Sequence, residues 1–585
     1  MENSNKESQQ RVRAHIEAQL EAIYRDVPNV NDYAELSEQV FLTARLDDCI
    51  RPKQTTQNLW TQQDITVITY GDTFLQDKQA PLVTLKQFLD DHLQEVINNV
   101  HVLPFFPFSS DDGFAIKDYR QVNPTLGQWQ HINAIAEDYD LMADLVVNHC
   151  SSESDWFNNF IAGEGDGHDY FFTAYPEDDI TNVVRPRTSP LLNPVTTKQG
   201  VQYVWCTFSH DQVDLNFKNP AVLLEFIQII RFYLDNGVKI FRLDAVAFLW
   251  KVEGTRCINL DQTHQLVRLF RTIIESIRAD AFIITETNIP NQENLSYFGN
   301  ANEAHCVYNF SLPPLLLNTF LTGDCRYLKQ WMMSMPPAQI GTAYFNFIAS
   351  HDGIGLRPAK GLLSKDEIKV ITDTMQSFGG EISWRTGADG TNRPYEVNIT
   401  LFSALQGTVE GKDEYAQDRF ICAHVIMLAL EGIPAFYIHS LLATKNDYDR
   451  YAMTQRKRSI NRRQWQMDEI KDILANPDSP HAHIHQRLLE IIKIRKSQPA
   501  FHPNATQFTL HLGDQLFGFW RQSIDRSQSI FSISNITKHE QTLSLTDINL
   551  ISTQGWYDLL TDKIFEKLDE KIVLAPYQSV WISNR

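Results

Sequence analysis

The stretch VKIFRLDAV, residues 238–246, is an apolar run that carries two charged residues, Arg242 and Asp244, near its carboxyl end. Short runs of this kind, alternating with amphipathic helical stretches, are typical of βα units around a parallel sheet. Seven others occur along the chain: ITVITY (65–70), NVHVLPF (99–105), DLMADLVVN (140–148), AFIITET (281–287), HCVYNF (305–310), AYFNFIAS (343–350) and GIPAFYI (432–438). Eight runs predict an α/β fold on a closed (β/α)8, or TIM, barrel, whose chemistry lies at the carboxyl ends of the strands.

The segments between these runs predict loop-inserted subdomains. Residues 150–216 are rich in Asp, Gly, Pro and Thr, and residues 353–410 contain the turn-prone stretch SFGGEISWRTGADGTNRPYE. Both interrupt the alternation of strands and helices, so we interpret them as insertions in loops at the carboxyl face of the barrel. The barrel itself is then expected in three parts, which are 61–149, 217–352 and 411–500.

The two ends of the chain predict further elements. Apolar residues recur at helical spacing near the amino terminus and predict a helical extension over 1–60; they are Val12, Ile16, Leu20 and Ile23. After residue 500 the apolar residues alternate with a period of two, as in TQFTLHLG and SIFSISN. This alternation predicts a C-terminal antiparallel β domain over 501–585.

The composition excludes several classes of function. Of 585 residues, 43% are hydrophobic and 21% are charged, as in ordinary folded proteins. The net charge of −20 argues against nucleic acid or a membrane surface as a partner, because both attract cationic surfaces. Seven cysteines without a CxxC pair favour reduced thiols. No signal peptide and no run of about 18 apolar residues is present, so we expect a cytoplasmic protein.

Ionisable side chains follow four of the predicted strands. They are His149, Arg242, Asp244, Glu286, His351 and Asp352. A single buried carboxylate or histidine is often structural, because it can cap a helix or satisfy backbone donors. Four such clusters, each directly after an apolar strand, favour an active site. Their chemistry suits glycosidic cleavage, which needs a carboxylate to attack the anomeric carbon and a carboxylic acid to protonate the leaving oxygen.

The positions of these residues suggest a role for each. Asp244 can be the nucleophile, and Arg242 lies two residues earlier on the same face of the strand, where its charge would keep Asp244 ionised. Glu286 must keep its proton near neutral pH, which burial and nearby carboxylates would favour. His149 and the pair His351–Asp352 can bind sugar hydroxyls more tightly as the ring flattens.

These motifs resemble the four signature regions of the α-amylase superfamily (glycoside hydrolase family 13). The matching stretches are DLVVNH (144–149), FRLDAV (241–246), ITET (284–287) and ASHDGIG (349–355). The resemblance runs from about Tyr70 to the carboxyl terminus. It implies retention of the α configuration through a covalent glucosyl-enzyme, with Asp244 as nucleophile, Glu286 as general acid/base and Asp352 as transition-state stabiliser.

Within that superfamily the chain looks most like the sucrose phosphorylase group, through HDGIG, RPR (185–187), PPLLL (313–317) and SINR (459–462). The likeness implies that Asp111, in PFFPFSSDDGF (104–114), pairs with Arg462 and that the two hold one glucosyl unit, with Phe114 in the same pocket. It also implies that Arg187 and Tyr395 help to bind inorganic phosphate, the expected co-substrate.

Other positions depart from sucrose phosphorylases. Asn288 stands where they carry histidine, Glu396 where they carry glutamine, and Ser459 where they carry aspartate. Because Asn288 and Glu396 are expected to contact the substrate, sucrose becomes a poorer candidate. Three stretches look more like the glucosylglycerate phosphorylase branch of the group, namely ETNIPNQENLSYFGN, SHDGIGLRPAKGLL and RPRTSPLL. A glycerate acceptor carries a carboxylate, for which the sequence offers four cations: Arg357, Arg393, Arg456 and Arg458.

Several alternatives stay open at this point. They are a sucrose, sucrose 6-phosphate or glucosylglycerol phosphorylase, a transglucosidase of the amylosucrase kind, an α-glucosidase, and a non-catalytic barrel that serves as an interaction subunit. Asn148 matches a calcium ligand of many amylases, but no dense cluster of oxygen ligands accompanies it, so we expect neither a metal nor another cofactor. The sequence leaves a homodimer open.

Overall fold

Eight parallel strands close into a barrel, and each lies within one of the eight predicted runs. We analysed a computed structural model, which describes residues 2–48, 58–386, 391–548, 556–567 and 570–585. The barrel strands are β1 (Thr66–Thr69), β2 (Asn99–Val102), β3 (Asp140–Val146), β4 (Val238–Asp244), β5 (Phe282–Thr285), β6 (Cys306–Tyr308), β7 (Ala343–Asn346) and β8 (Ile433–Tyr437). Each strand pairs with the next along the chain, and β8 pairs with β1. The predicted (β/α)8 barrel is confirmed.

The register of the strands aligns the functional side chains at one end of the barrel. Arg242 in β4 lies opposite Asp144 in β3, and Leu243 lies opposite Thr285 in β5. Asp244 and Glu286 each come one residue later, so they leave the barrel at the same level. The Glu286 backbone N–H donates to the Leu243 carbonyl oxygen over 3.1 Å, which holds the two strand ends together.

Helices alternate with the strands and pack on the outside of the barrel. Helix Pro220–Asp235 shows why such segments are helical: Asn219 accepts a hydrogen bond from the Ala221 N–H at the first turn, Pro220 occupies the first position, and one apolar face is buried. The other long barrel helices are Pro81–His92, Trp129–Asp138, Asp261–Ile277, Leu312–Thr322, Arg326–Ser334, Ala416–Ala429 and Pro480–Lys496. Within the described part of the chain, none of the helices combines the length and apolarity that a membrane crossing demands.

Two long connections at the carboxyl face of the barrel form small antiparallel sheets. Between β3 and β4, helix Asp155–Ala162 accompanies strands His149–Ser151, Thr173–Ala174, Leu192–Thr197, Gly200–Trp205 and Gln212–Asp214. Between β7 and β8, helix Lys365–Ser377 accompanies strands Ile354–Gly355, Glu381–Thr386 and Asn392–Asn398. These elements lie within the segments that we proposed as inserted subdomains, 150–216 and 353–410.

The amino-terminal segment forms two helices, Glu2–Tyr24 and Tyr33–Thr43, that pack on the outside of the barrel. Ile16, Leu20 and Ile23 are each at most 1% exposed, so the predicted apolar face of the first helix is buried. Gln19 donates to Thr272 over 3.1 Å and ties this helix to barrel helix Asp261–Ile277. Residues 49–57, which the predicted extension also included, lie outside the described residues.

The C-terminal segment is built from antiparallel strands, as its alternation predicted. Five strands form one sheet: Thr506–Thr509, Leu516–Gln522, Ser529–Asn535, Tyr557–Asp558 and Ser579–Ser583. Strands Gln541–Ser544 and Lys571–Leu574 form a separate pair. Their apolar side chains make a second small core, which includes Phe531, Ile533 and Ile582.

A buried arginine joins the C-terminal sheet to the barrel. Arg521, in strand Leu516–Gln522, is fully buried and donates to the carbonyl oxygens of Ala429 over 2.6 Å and of His502 over 2.7 Å. Ala429 is the last residue of its helix, where carbonyl groups lack amide partners, so the guanidinium satisfies an acceptor that would otherwise be orphaned. Burial lowers the pKa of Arg521 to about 10, and the group remains charged at neutral pH.

We expect Arg521→Met to destabilise the protein, because methionine fills similar space but leaves these buried carbonyls without donors. Unsatisfied buried acceptors cost about 1–3 kcal/mol each, so the apparent free energy of unfolding should fall by about 3 kcal/mol. Urea denaturation followed by circular dichroism measures the change. The control is Arg487→Met, which removes an arginine whose side chain is 33% exposed. Equal stability of the two variants would contradict a joining role for Arg521.

Candidate active site

The three predicted catalytic carboxylates lie in one pocket at the carboxyl end of the barrel. Asp244 ends β4, Glu286 follows β5, and Asp352 lies beyond β7. The pocket has a volume of about 670 Å³, including solvent at its mouth. Its walls also contain these predicted residues: Asp111, Phe114, His149, Arg187, Asn288, His351 and Tyr395. Three further predicted residues, Arg242, Arg462 and Glu396, lie buried behind the pocket wall and are at most 3% exposed.

Arg242 is the centre of a buried charge network under the pocket. Its Nη1 atom lies 2.7 Å from Asp244 Oδ1 and also donates to Asp144 Oδ1. Asp144 in turn accepts from His101 Nε2 over 2.7 Å. The guanidinium also lies against the rings of Phe114 and Tyr308, 5.6 and 5.5 Å from their centroids. Arg242 therefore cannot turn away, and its charge is directed at Asp244.

Asp244 and Glu286 form an electrostatically coupled pair. Burial raises the pKa of Asp244, with the Glu286 carboxylate adding to the effect, and the Arg242 guanidinium offsets only part of it. Burial also raises the pKa of Glu286, and Asp352 adds to that shift. Two neighbouring carboxylates with raised pKa values favour a shared proton. Arg242 bonds directly to Asp244, so the guanidinium favours ionisation of Asp244 over ionisation of Glu286.

The backbone beside Asp244 also contacts Glu286. Ala245 has a positive φ of 53°, so the chain turns sharply after β4. This turn directs the Ala245 N–H at Glu286 Oε2, 3.2 Å away. The carboxyl group of Glu286 is thereby held by a group that belongs to the neighbouring strand. A non-glycine residue in this conformation carries backbone strain, which is often found at functional sites.

Asp352 is surrounded by positive charge and stays ionised. Its Oδ1 atom lies 2.5 Å from Arg458 Nη1 and 3.8 Å from Arg462 Nη2. Burial alone would raise the pKa of Asp352, but these two guanidinium groups and Arg242 lower it by more, so the net direction is downward. Arg458 is itself held by Glu396, through Nε at 3.0 Å and Nη2 at 2.7 Å. This bidentate pair fixes the orientation of the guanidinium.

Two histidines in the pocket wall are neutral. Burial lowers the pKa of His149, and burial together with the charge of Arg242 lowers that of His351. His149 Nε2 lies 3.1 Å from the Phe114 carbonyl oxygen and 3.2 Å from Gln212 Nε2. The His351 ring stacks on Phe114 with centroids 5.1 Å apart. Neutral imidazoles held in place can exchange hydrogen bonds with hydroxyl groups without adding charge to the site.

Comparison with known proteins identifies the family. The model of the α-amylase catalytic domain matches residues 90–359. A glucosylglycerate phosphorylase of Spirochaeta thermophila is 42% identical over 478 residues, which are 82% of this chain and 81% of that protein. The chain belongs to the α-amylase family. Another glucosylglycerate phosphorylase, from Escherichia coli, is 38% identical over 89% of this chain and 92% of its own.

Within the α-amylase family the chain falls in the sucrose phosphorylase-like group, as its motifs predicted. A sucrose phosphorylase of Agrobacterium vitis is 30% identical over 81% of this chain and 96% of its own. The crystal structure of sucrose 6F-phosphate phosphorylase from Thermoanaerobacter thermosaccharolyticum superposes with a TM-score of 0.70 at 25% identity, covering 81% of this chain and 94% of that one. The predicted resemblance is confirmed.

One predicted ion pair of the site is wrong. The sequence motif suggested that Asp111 pairs with Arg462, but Asp112 does so, and Asp112 also accepts from Arg456 over 3.0 Å. Asp111 lines the pocket instead and accepts from Gln212 over 3.3 Å. Both aspartates have positive φ angles, 54° and 48°, so the chain turns tightly here and directs their side chains to different partners. Asp111 therefore faces the sugar pocket, while Asp112 anchors Arg462.

Sequence reasoning missed two side chains of the site. Tyr70 is partly buried between Arg462, whose guanidinium carbon lies 5.4 Å from the ring centroid, and His351, whose ring meets it edge-on at 6.0 Å. Gln212 joins His149 to Asp111. Tyr70 directly follows β1, and residues at the carboxyl ends of barrel strands are candidates for an active site. The sequence could therefore have indicated Tyr70. Gln212 follows a long insertion, and its approach to His149 depends on how that insertion folds.

The arginines proposed as anion ligands occupy different situations. Arg456 is bound to Asp112, and Arg458 to Asp352 and Glu396. Arg393 is exposed on strand Asn392–Asn398. Arg187 and Arg357 line the pocket, and within the described ranges no acceptor lies at hydrogen-bonding distance from either guanidinium. Arg187 lies 5.6 Å from the centroid of the Tyr395 ring and 6.0 Å from that of Phe208.

The position that matches a calcium ligand of many amylases contacts a lysine. Lys251 Nζ lies 3.0 Å from Asn148 Oδ1 and 2.9 Å from Asp214 Oδ2. All three side chains are at most 3% exposed. The ammonium group thus supplies a positive charge to Asp214 next to His149. Among the described residues, no other group of histidine, cysteine and carboxylate side chains is arranged to hold a metal.

We expect prolonged dialysis against EDTA to leave the melting temperature unchanged, because the Lys251 ammonium supplies the charge that a divalent cation would otherwise provide. Lys251→Met should destabilise the protein by about 3–5 kcal/mol, since it leaves Asp214 charged, buried and unpaired. Differential scanning calorimetry of both samples tests this. A fall in melting temperature on dialysis that calcium reverses would show that a metal is required.

Proposed function

We propose that this protein is a retaining glucosylglycerate phosphorylase, which transfers a glucosyl group reversibly between glycerate and inorganic phosphate. The observation that carries the proposal is the combination, in one pocket, of two interacting carboxylates and two guanidinium groups for which no acceptor lies among the described residues. A neutral acceptor would leave both of these charges unpaired. Two acceptors that are both anions would use them. The glucosylglycerate phosphorylases at about 40% identity support the same substrates.

The first half of the reaction forms a glucosyl-enzyme. An Asp244 oxygen attacks the anomeric carbon, the bond from that carbon to the glycerate oxygen breaks, and Glu286 gives its proton to the departing oxygen. The raised pKa of Glu286 keeps this proton available. The products are an ester at Asp244, free glycerate and an ionised Glu286. Arg242 stabilises Asp244 before the attack and, once the ester has formed, retains Asp144 as its counterion.

The second half returns the enzyme to its starting state. A phosphate oxygen attacks the anomeric carbon, the Asp244 ester breaks, and the proton of the attacking phosphate hydroxyl passes to Glu286. The product is α-glucose 1-phosphate, because two inversions retain the configuration. Phosphate must approach two carboxylates in a protein of net charge −20, so it needs a nearby cation. Arg187 lies in the pocket wall and lowers the pKa of Asp352, which places its charge near the reacting groups.

The donor side of the pocket admits a single glucosyl unit. Asp112 and Arg462 form an ion pair behind the wall of this pocket, and Arg462 also donates to the His351 carbonyl oxygen over 2.9 Å. A wall fixed by two such contacts does not open for a longer chain. Asp352, His149 and His351 are then assigned to the glucosyl hydroxyls, whose hydrogen bonds strengthen as the ring flattens. The homodimer and the cytoplasmic location stay predictions.

Glucosylglycerate incubated with phosphate should yield α-glucose 1-phosphate, and the reverse reaction should prefer glycerate to other acceptors. A charged hydrogen bond contributes about 1.5–3 kcal/mol, which corresponds to about a ten- to hundredfold preference for glycerate over glycerol or fructose. Phosphate release from α-glucose 1-phosphate with each acceptor, including fructose 6-phosphate, measures this. Preference for fructose would make the protein a sucrose phosphorylase, and phosphate-independent release of glucose would make it a hydrolase.

Asp244→Asn should abolish turnover with little effect on folding, because asparagine keeps the shape and a hydrogen bond to Arg242 but cannot attack. Glu286→Gln should be rescued in part by aryl α-glucosides with good leaving groups or by azide, since only the proton donor is missing. Initial rates and melting temperatures of both variants test these roles. Activity of Asp244→Asn within about tenfold of wild type would exclude it as the nucleophile.

The pH profile supplies a control on Glu286. Because Glu286 must be protonated to release glycerate, kcat/KM should fall as the pH rises through its raised pKa. An aryl glucoside with a good leaving group needs no proton, so its alkaline limb should be absent. If both substrates show the same alkaline limb, the titrating group is not the proton donor.

A further inference from the structure

Arg357 is presented to the pocket by a rigid turn. It begins the short helix Arg357–Ala359, directly after strand Ile354–Gly355. The Leu356 N–H donates to the Tyr395 carbonyl oxygen over 3.0 Å, and Ser311 Oγ donates to the Pro358 carbonyl oxygen over 3.1 Å. Hydrogen bonds on both sides of Arg357 thus fix its backbone. The guanidinium itself lines the pocket that contains Asp244 and Glu286.

This guanidinium is a partly buried cation, and none of the residues that the structure describes places a counterion at contact distance from it. Burial lowers the pKa of Arg357, and the nearby cations Arg385 and Arg256 lower it further, while Glu293 acts in the opposite direction. Within the described segments, no carboxylate forms an ion pair with it. A cation that is partly withdrawn from water without a partner costs free energy, and an anionic ligand removes that cost. The position therefore favours an anion in the pocket.

Asn288 supplies an unsatisfied acceptor beside the same turn. Its Oδ1 atom is buried and has no hydrogen-bond partner among the described residues. Its amide group packs against Gly355, where an added Cβ would lie 2.9 Å from both Nδ2 and Oδ1. Only glycine at 355 therefore leaves Asn288 in this position. Like Arg357, Asn288 lines the pocket. A cationic residue and a residue with an unpartnered carbonyl oxygen thus line the same pocket.

We propose that these two residues determine the acceptor: Arg357 binds the carboxylate of glycerate, and Asn288 Oδ1 accepts a hydrogen bond from its primary hydroxyl. The remaining hydroxyl, on the central carbon, is the one that exchanges its proton with Glu286. This assignment rests on the proposed function. Of the four arginines considered for the carboxylate, Arg357 alone lines the pocket without a described partner, since Arg456 and Arg458 are already in ion pairs and Arg393 is exposed.

The assignment divides the two anionic acceptors between two arginines. Arg187 and Arg357 both interact electrostatically with Tyr395. Arg187 also lowers the pKa of the catalytic carboxylate Asp352, whereas the side chains that most affect the pKa of Arg357 are Tyr395, Arg385, Glu293 and Arg256. Phosphate, whose own oxygen attacks, belongs closer to the carboxylates. In glycerate the carboxylate is attached to the carbon that bears the attacking oxygen, so its charge lies farther from that oxygen and can reach Arg357.

The test uses α-glucosyl fluoride as donor, so that the donor carries no phosphate, and compares glycerate, glycerol and phosphate as acceptors. Arg357→Ala should lower kcat/KM for glycerate by about ten- to a hundredfold, the value of a charged hydrogen bond. Rates with glycerol and with water should fall much less than the rate with glycerate, because neither of them carries a carboxylate. For Arg357→Lys, kcat/KM for glycerate should lie between the values of wild type and Arg357→Ala, because lysine keeps the charge but cannot form two parallel hydrogen bonds to a carboxylate. Gly355→Ala displaces the Asn288 amide and should also lower kcat/KM for glycerate.

Two further variants serve as controls. Arg256→Ala removes a side chain that is 56% exposed on the same side of the molecule, and it should leave the glycerate-to-glycerol ratio unchanged. Arg187→Ala should lower kcat/KM for phosphate more than it lowers kcat/KM for glycerate. If wild-type enzyme transfers to glycerate but Arg357→Ala keeps the wild-type ratio, the assignment of Arg357 is overturned and the proposed function stands. If wild-type enzyme does not transfer to glycerate, both are overturned.

Discussion

The contact between Arg242 and Asp244 is the interaction on which the rest of the site depends. A carboxylate at the bottom of a pocket in a strongly acidic protein would take up a proton and lose its nucleophilicity. Arg242 opposes this, and it can do so because Asp144 and the rings of Phe114 and Tyr308 hold the guanidinium in place. Side chains from β3, from β6 and from the connection after β2 therefore hold the cation that favours ionisation of Asp244.

The same pairing of buried charges extends outward from Asp244. Arg458 and Arg462 surround Asp352, and Glu396 and Asp112 in turn hold those arginines. Cations are concentrated around the pocket while the chain as a whole carries a net charge of −20. Carboxylates behind the wall neutralise most of these cations, and the pair Arg187 and Arg357 stays available to a ligand. Chemistry on anionic acceptors follows from this distribution of charge rather than from the barrel, which hosts many reactions.

Much of the fold and the centre of the site could be predicted from the sequence. All eight barrel strands lie inside the predicted runs, because a strand buried in a parallel barrel must be apolar throughout its short length. Asp244, Glu286 and Asp352 could be found because they lie at the end of such apolar runs or within two residues of it. The roles assigned to them come from the family resemblance and from chemistry, and they stay proposals.

Contacts between distant loops could not be predicted. Asp111 and Asp112 are adjacent and chemically identical, so only the left-handed turn that separates their side chains decides which one meets Arg462. The four candidate arginines were likewise equivalent until the folded loops paired two of them with carboxylates. Gln212 approaches His149 through an insertion whose path the alternation of strands does not describe.

The buried ammonium of Lys251 has a consequence for how this wall of the pocket assembles. A free ion stabilises a folded protein by an amount that grows with the logarithm of its concentration in the medium. A cation attached to the chain is always present, so its contribution is the same in every ionic environment and arrives in the same step as folding. The side chain of Asn148, and with it the position of its neighbour His149, is thereby set by the polypeptide alone. The stability of this wall therefore depends on the identity of residue 251 and not on the concentration of a metal ion in the medium.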